Sequence, residues 1–195
     1  MGRRLRRLRS TSDKRGVNEF YSYICKLQVH LYYPNFLNRY SRSKGDKEVK
    51  RIVLEENIKY PMFGDDDFKR PQYSADLIHQ EAMKWLDVQT GEQPFCEIFT
   101  SPFPHAELTQ PHDSIFTDKT WGGSENSRYN SAEHTHAHFA SMITRLDTYV
   151  GEIFKKLKEK DWTKTQLFSS AAITVLMKKE ELILNSSDAT VNKEA

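Results

Sequence analysis

The stretch that decides the fold is QPFCEIFTSPFPHAEL, residues 93–108. Its first part, residues 95–100, is a short run of apolar and β-branched side chains and predicts a buried strand. Pro102 and Pro104 follow at once, and proline can neither continue a helix nor donate to a β-ladder. The two prolines therefore predict a stiff loop at the carboxyl end of the strand. This loop presents the imidazole of His105.

Helices are predicted on both sides of this strand. Residues 73–88 have apolar side chains at helical spacing, with Ser74 as the N-cap and Gly91 just past the end. Residues 137–160 carry a stronger pattern, and several lysines suit the carboxyl end of that helix. Residues 166–168 then begin another strand, so the order strand–loop–helix–strand predicts an α/β fold with a parallel sheet. The apolar stripe of residues 137–160 consists of Phe139, Met142, Ile143, Leu146, Val150, Ile153, Phe154 and Leu157.

The remaining segments are less regular. Residues 1–15 are basic and of low complexity, which predicts disorder. Residues 16–40 are rich in aromatic side chains, and the polar residues 41–70 predict an irregular surface excursion with short strands. The two cysteines, Cys25 and Cys96, have no metal-binding spacing and form no disulfide framework.

Composition limits the class of protein. Hydrophobic residues make up 37% of the chain, against roughly 45–50% in average globular proteins. The chain is therefore poor in core residues, which predicts either a partly disordered protein or a piece of a larger one. A net charge of +2 argues against a polyanion binder. No run approaches the length of a membrane span, and the basic start MGRRLRRLRS lacks the apolar region of a signal peptide.

Four groups of residues are candidates for binding a metal ion, a phosphate or another ligand. His134 and His138 share a helix face and can hold zinc, although spacing identifies no third ligand, and a solvated first turn is the simpler reading. The aspartates 65–67 lack the spacing of a calcium loop and favour a solvated turn. The arginines of residues 3–9 can grip phosphates but have no aromatic platform beside them. His105 follows a predicted strand, where ligands bind in open α/β sheets, yet it also fits an ordinary loop histidine.

Five stretches, in chain order, resemble the sulfatases, and in particular the bacterial arylsulfatases of the alkaline-phosphatase-like superfamily. Together they run from about residue 16 to residue 170 and resemble the family's G-F-D-x-F-Y-G-Y and H-x-Y-Y-P segments, its P-H-A segment, its long helix and the strand before S-D-N-G. They are GVNEFYSYICKLQVHLYYPNFL, YSADLIHQEAMKWLD, QPFCEIFTSPFPHAEL, HFASMITRLDTYVGEIFKKLKEK and LFSS.

The resemblance implies a fold and a reaction. The fold is a partial α/β/α sandwich of the alkaline-phosphatase-like type. The reaction is hydrolysis of a small-molecule or glycan sulfate ester by a formylglycine, made from the cysteine of C-x-P-S-R, with a calcium ion that neutralises the sulfate oxygens. By matching position, His105 contacts the sulfate group or the leaving oxygen. No nucleic acid or membrane partner is expected. Family members are often periplasmic or secreted, which leaves the localisation open because no signal peptide is predicted here.

The chain departs from the family where the chemistry occurs. It has no C-x-P-S-R and no paired early aspartates, and LFSS continues into Ala171 and Ala172 instead of Asp-Asn-Gly. We therefore expect neither formylglycine nor a complete calcium site, and an inactive fragment of the sulfatase domain over residues 16–170. The alternative is a non-catalytic protein that binds through its N-terminal arginines or the His134 and His138 cluster.

The tail, residues 171–195, has its own explanation. If AITVLMKKEELILNSS, residues 172–187, is translated one base out of register, permitted wobble choices give D-N-G-P-H-E-E-G-G. This string continues Ser169 and Ser170 into the family's S-D-N-G segment. The tail is therefore predicted to be an out-of-frame translation, which the nucleotide sequence would test directly.

Overall fold

A three-stranded antiparallel sheet forms the amino-terminal half of the described chain. The computed structural model describes residues 15–60, 70–105, 108–109, 111, 116 and 135–162. The sheet has the order β1 (Glu19–Ser22), β2 (Phe36–Ser41) and β3 (Lys50–Val53), and the short helix α1 (Lys26–Val29) lies between β1 and β2. The predicted short strands within residues 41–70 are thus confirmed by β3. The fold is of the mixed α and β class.

The described sheet is antiparallel throughout, whereas the sequence predicts a parallel sheet. Phe20 pairs with Tyr40 between β1 and β2, and Leu37 pairs with Ile52 between β2 and β3. The short link of eight residues between β2 and β3 favours their antiparallel pairing, because parallel neighbours need a crossover connection of about a dozen residues or more. Leu37 is fully buried and packs in one apolar cluster with residues of α2 and the neighbouring loops.

Helix α2 spans Ser74–Val88, which agrees with the predicted helix over residues 73–88. The predicted N-cap is wrong, because Tyr73 holds that position and makes no side-chain capping bond. Ser74 is instead completely buried inside the first turn, and its hydroxyl donates to the Tyr32 carbonyl at 2.8 Å. The Ser74 hydroxyl therefore donates to a distant carbonyl, whereas the N-cap prediction has its oxygen accept from the backbone N–H groups of the first turn. Gly91 lies past the helix end, as predicted, with φ of +81°.

Helix α3 spans Thr135–Glu159 and agrees closely with the predicted helix over residues 137–160. Its predicted apolar stripe is only partly buried. Met142, Ile153 and Leu157 are in the core, whereas Phe139 is 39% and Phe154 is 42% exposed. The buried face is shifted around the helix because smaller and amphipathic residues also pack inward, namely Ala137, Ser141 and Tyr149.

A polar cluster ties the two long helices together. Arg145 of α3 binds Asp76 of α2 through two bonds, from Nε to Oδ1 at 2.6 Å and from Nη2 to Oδ2 at 2.5 Å. The Tyr149 hydroxyl also donates to Asp76. Burial acts to lower the pKa of Arg145, but the bond and charge of Asp76 outweigh it and raise that pKa. Burial, followed by the Asp76 carboxylate, raises the pKa of Tyr149. The guanidinium and the neutral phenol are thus held in the states that bind the carboxylate.

The strand predicted over residues 95–100 is wrong as a paired strand. The structure gives this segment no regular secondary structure. Its side chains nevertheless alternate, as they do in extended chain: the odd-numbered ones are half-buried and the even-numbered ones are exposed. The sequence pattern of residues 95–100 thus agrees with the alternation of buried and exposed side chains. Backbone pairing also requires a neighbouring strand, which the described sheet does not supply.

Several predictions lie outside the described residues. They concern the basic segment through residue 14, the aspartates 65–67, His134 and everything from residue 163 onward, including LFSS and the tail. They stay predictions. All of the described residues belong to one compact unit, Met1–Lys164.

Candidate functional site

The loop that carries His105 is sharply turned and anchored by one aromatic ring. The backbone N–H of His105 donates to the Pro102 carbonyl at 2.9 Å, and the Phe103-Pro104 peptide bond is cis. The Phe103 ring is buried, with centroids 5.5 Å from Tyr32 and 6.0 Å from Tyr73. The stiff loop predicted from the two prolines is therefore present and is fastened to the core on its inner side.

Tyr32 joins this loop to helix α2. Its hydroxyl lies 3.0 Å from the His105 carbonyl and 3.2 Å from the Pro102 carbonyl. The hydroxyl has one proton, which it can donate to either of these two loop carbonyls. Its own carbonyl accepts from both the backbone N–H and the hydroxyl of Ser74, each at 2.8 Å. The ring is almost wholly buried. One residue thus fixes the loop relative to the start of α2.

Two buried polar side chains hold the stretch around Tyr32 in place. The Asn57 amide donates to the Pro34 carbonyl at 2.9 Å and exchanges bonds of 2.8 and 2.9 Å with the backbone of Gln72. The Arg70 guanidinium donates to the Tyr33 carbonyl and to two further oxygens. These bonds satisfy backbone carbonyls that lie outside any helix or sheet. The stretch HLYYP, residues 30–34, is consequently a rigid support.

His30, at the end of α1, meets His105 at the surface of this support. The two ring centroids are 4.4 Å apart and the rings are nearly perpendicular, at 86°. His30 is half-buried and His105 is exposed. Sequence reasoning singled out His105 as a site residue but not His30, although His30 is the histidine of the stretch that resembles the family's H-x-Y-Y-P segment.

The paired imidazoles define what the site can do chemically. A neutral imidazole carries one N–H donor, and a protonated one carries two donors and a positive charge. Two such rings beside a fixed loop suit an oxyanion, whose oxygens accept N–H bonds. An exposed imidazole can also give a proton to a departing oxygen. The arrangement therefore suits an oxyanion bound beside the loop.

The zinc alternative receives no support from the described residues. His138 holds the same loop from α3, with Nδ1 2.8 Å from the Leu108 carbonyl, and must donate because a carbonyl can only accept. Its partner in the zinc hypothesis, His134, lies outside the described part of the chain. In that part, no three His, Cys, Asp or Glu side chains come close enough together to hold a metal ion. The described residues therefore do not fit the calcium ion that the resemblance implies.

Another histidine is structural. His79 of α2 is buried, lies with Nε2 2.6 Å from the Glu152 carboxylate of α3, and stacks on the Tyr149 ring at 4.3 Å. Its Nδ1 has no hydrogen-bond partner among the described residues. This imidazole packs the two helices together and is not part of the His105 site.

No protein-family model matches this sequence, and no curated protein is significantly similar to it. Among the described helices, none is both long and apolar enough to cross a membrane. An inference about function therefore depends on the sequence motifs and on the geometry around His105.

Proposed function

We propose that this chain is a sulfatase-like unit that binds a sulfate ester at His105 and His30 and does not hydrolyse it. The proposal includes the finer fold, a partial α/β/α sandwich of the alkaline-phosphatase-like type. One observation carries it: HLYYP and SPFPH, two of the stretches that resemble the family, lie together in space and place two imidazoles 4.4 Å apart. Stretches this far apart in a chain meet only through the tertiary fold.

In this proposal His105 donates an N–H bond to a sulfate oxygen, and the adjoining His30 ring supplies a second donor to the same face of the anion. Tyr32 and Phe103 act as positioning residues because they hold the loop without reaching the ligand. The site is open to water, so each bond replaces a bond to solvent and contributes modestly. We therefore expect weak binding.

The absence of hydrolysis follows from the sequence. Attack on the ester sulfur needs a nucleophile, and the family makes it from the cysteine of C-x-P-S-R. Cys25 is followed by Lys-Leu-Gln and Cys96 by Glu-Ile-Phe, so neither cysteine stands in that motif. Anion binding alone stabilises charge but opens no route for sulfuryl transfer.

Titration with para-nitrophenyl sulfate tests the proposal. We expect the imidazole NMR resonances of His30 and His105 to shift, and no para-nitrophenol to be released even with added calcium. His105→Ala should abolish the shift at His30, whereas His136→Ala, which removes another exposed imidazole, should leave both shifts intact.

Neutral para-nitrophenol serves as the ligand control, since it has the ring but no sulfate. Equal shifts with para-nitrophenol would mean that the site binds aromatic rings and not the oxyanion. Measurable turnover that His105→Ala abolishes would show an active enzyme and contradict the second half of the proposal.

A further inference from the structure

The chain that leaves the His105 loop is fixed as firmly as the chain that enters it. Leu108 and Thr109, here called the returning limb, follow His105 by three and four positions. Thr109 is buried, and Leu108 packs against the core cluster that contains Tyr32 and Phe103. The returning limb therefore lies against the same core as the part of the loop before His105.

His138 of helix α3 holds the first carbonyl of the returning limb. Its Nδ1 lies 2.8 Å from the Leu108 carbonyl oxygen. A carbonyl can only accept, so the imidazole carries a proton on Nδ1 whether the ring is neutral or charged. The bond is therefore compatible with both charge states of His138.

Tyr73, at the start of α2, holds the second carbonyl of the returning limb. Its hydroxyl donates to the Thr109 carbonyl at 3.0 Å, and its ring packs on Tyr32 and Phe103. Burial raises the pKa of the Tyr73 phenol, so the hydroxyl keeps its proton and stays a donor at ordinary pH. One ring thus supports both Phe103 and the returning limb.

The short chain between the anchors limits where His105 can move. Three residues of fully extended chain span at most about 11 Å, so the bond at Leu108 keeps His105 within that distance. The Tyr32 hydroxyl adds a restraint at the His105 carbonyl itself. Without the bonds to the returning limb, the chain that follows His105 would lose two of its restraints.

We propose that His138 and Tyr73 are positioning residues for the anion site at His105, and that they act through the returning limb. This inference rests on the proposed function, because it concerns the same site. The two donors end on backbone carbonyls and not on the ligand. They raise the fraction of molecules in which the His105 ring lies against His30, and only that fraction is ready to bind.

Two amide substitutions at His138 separate this hydrogen bond from the other properties of the imidazole. The side-chain nitrogen of asparagine is as many bonds from Cα as Nδ1 of histidine, whereas the nitrogen of glutamine is one bond further. We therefore expect His138→Asn to keep the bond to Leu108, and His138→Gln and His138→Ala to lose it. His136→Ala is the matched control, because His136 is an exposed histidine on the same helix.

The contact between the two imidazoles in the ligand-free protein is the first readout. The ring centroids of His30 and His105 are 4.4 Å apart, so their ring protons should show a nuclear Overhauser effect. We expect this effect to weaken roughly twofold or more in His138→Ala and His138→Gln. It should keep its wild-type intensity in His138→Asn and His136→Ala. Circular dichroism checks that all variants keep their helices.

Affinity for para-nitrophenyl sulfate is the second readout. One lost hydrogen bond shifts the balance between the positioned and the displaced loop by up to about fivefold. The Kd should therefore rise by roughly two- to fivefold in His138→Ala and return to the wild-type value in His138→Asn. Tyr73→Phe removes the other bond, keeps the ring, and should change both readouts in the same direction as His138→Ala.

An imidazole contact and an affinity that His138→Ala leaves unchanged overturn the inference. So do asparagine and glutamine variants that behave alike, because the bond from Nδ1 would then not be the cause. If the wild-type chain does not bind para-nitrophenyl sulfate, the proposed function is wrong. The placement of His105 by the returning limb still stands in that case if the contact weakens in His138→Ala and returns in His138→Asn.

Discussion

The interface between α2 and α3 differs from residues 95–101, here called the open segment, in how its backbone groups are paired. In the helices every interior backbone group is paired within the element, and the interface adds a polar cluster in which Arg145, Asp76 and Tyr149 satisfy one another. In the open segment two aromatic side chains, Phe95 and Phe99, are packed, but no backbone hydrogen bond joins the segment to another described residue. Helices meet their backbone requirement locally, whereas extended chain depends on a neighbour.

Breaking the polar cluster should have the largest effect on stability. Asp76→Ala leaves the partly buried guanidinium of Arg145 without its partner and should lower the free energy of unfolding by about 3 kcal/mol. Urea denaturation measures the loss. Asp147→Ala, an exposed aspartate on the same helix α3, should change stability by less than about 0.5 kcal/mol. Equal effects of the two variants would show that the cluster contributes little.

Glu97 should make stability depend on pH. Burial raises the pKa of this carboxyl from 4.5 to about 7 in the folded chain, so the folded state holds the proton more tightly than the unfolded state. The stabilising contribution is therefore complete below about pH 4.5 and is lost as the pH rises through about 7.

With allowance for solvent screening, the difference between pH 5 and pH 8 should be on the order of 2 kcal/mol. Glu97→Gln removes this group and should flatten the profile by that amount, as followed by urea denaturation at several pH values. If the variant keeps the wild-type pH profile, another group is responsible for the dependence.

Two glycines allow the cost of backbone strain to be measured apart from the cost of close packing. Gly91 and Gly45 both have positive φ, at +81° and +75°. A Cβ at Gly91 would lie 2.7 Å from Trp162 Nε1, whereas at Gly45 it would meet nothing within 4 Å. Gly45→Ala should cost about 1 kcal/mol for strain alone, and Gly91→Ala about 1 kcal/mol more because Trp162 must move.

Thermal unfolding of both variants measures the difference, and tryptophan fluorescence should change only for Gly91→Ala. If the two alanines cost the same, Trp162 moves aside freely, although its ring contacts Phe95 at 5.3 Å between centroids.

The smallest effect on stability is expected at the candidate site. His105→Ala removes an exposed side chain and keeps the backbone carbonyl that Tyr32 bonds, so the free energy of unfolding should change by less than about 0.5 kcal/mol. Tyr32→Phe removes the hydroxyl that holds the loop and should cost about 1 kcal/mol. A large loss in His105→Ala would identify this histidine as a structural residue, against its proposed role in anion binding.

Much of the fold near the site was predictable because the relevant patterns are local. The apolar spacing within each long helix predicted α2 and α3 to within two residues at each end. The two prolines predicted the loop at His105, since their effect on φ and on donors does not depend on context. The contact of His30 with His105 was not predictable, because it joins residues far apart along the chain.

The errors have a common cause. Ser74 has the chemistry of an N-cap, but the buried Tyr32 carbonyl takes its hydroxyl. Phe139 and Phe154 continue the apolar stripe of α3, but the packing against α2 uses a shifted face that includes Tyr149. In both cases the local pattern was correct, but contacts with distant residues decided where the side chains lie.

The amino-acid sequence by itself determined the positions of the long helices, the turn at the prolines, and the alternation of side chains over residues 95–100. These features depend on backbone sterics and on spacing within a few residues. Only the tertiary structure decided which side chains meet: His30 with His105, Tyr32 with the loop, Arg145 with Asp76. It also decided that the open segment remains unpaired among the described residues, because strand pairing joins residues whose separation along the chain no local pattern encodes.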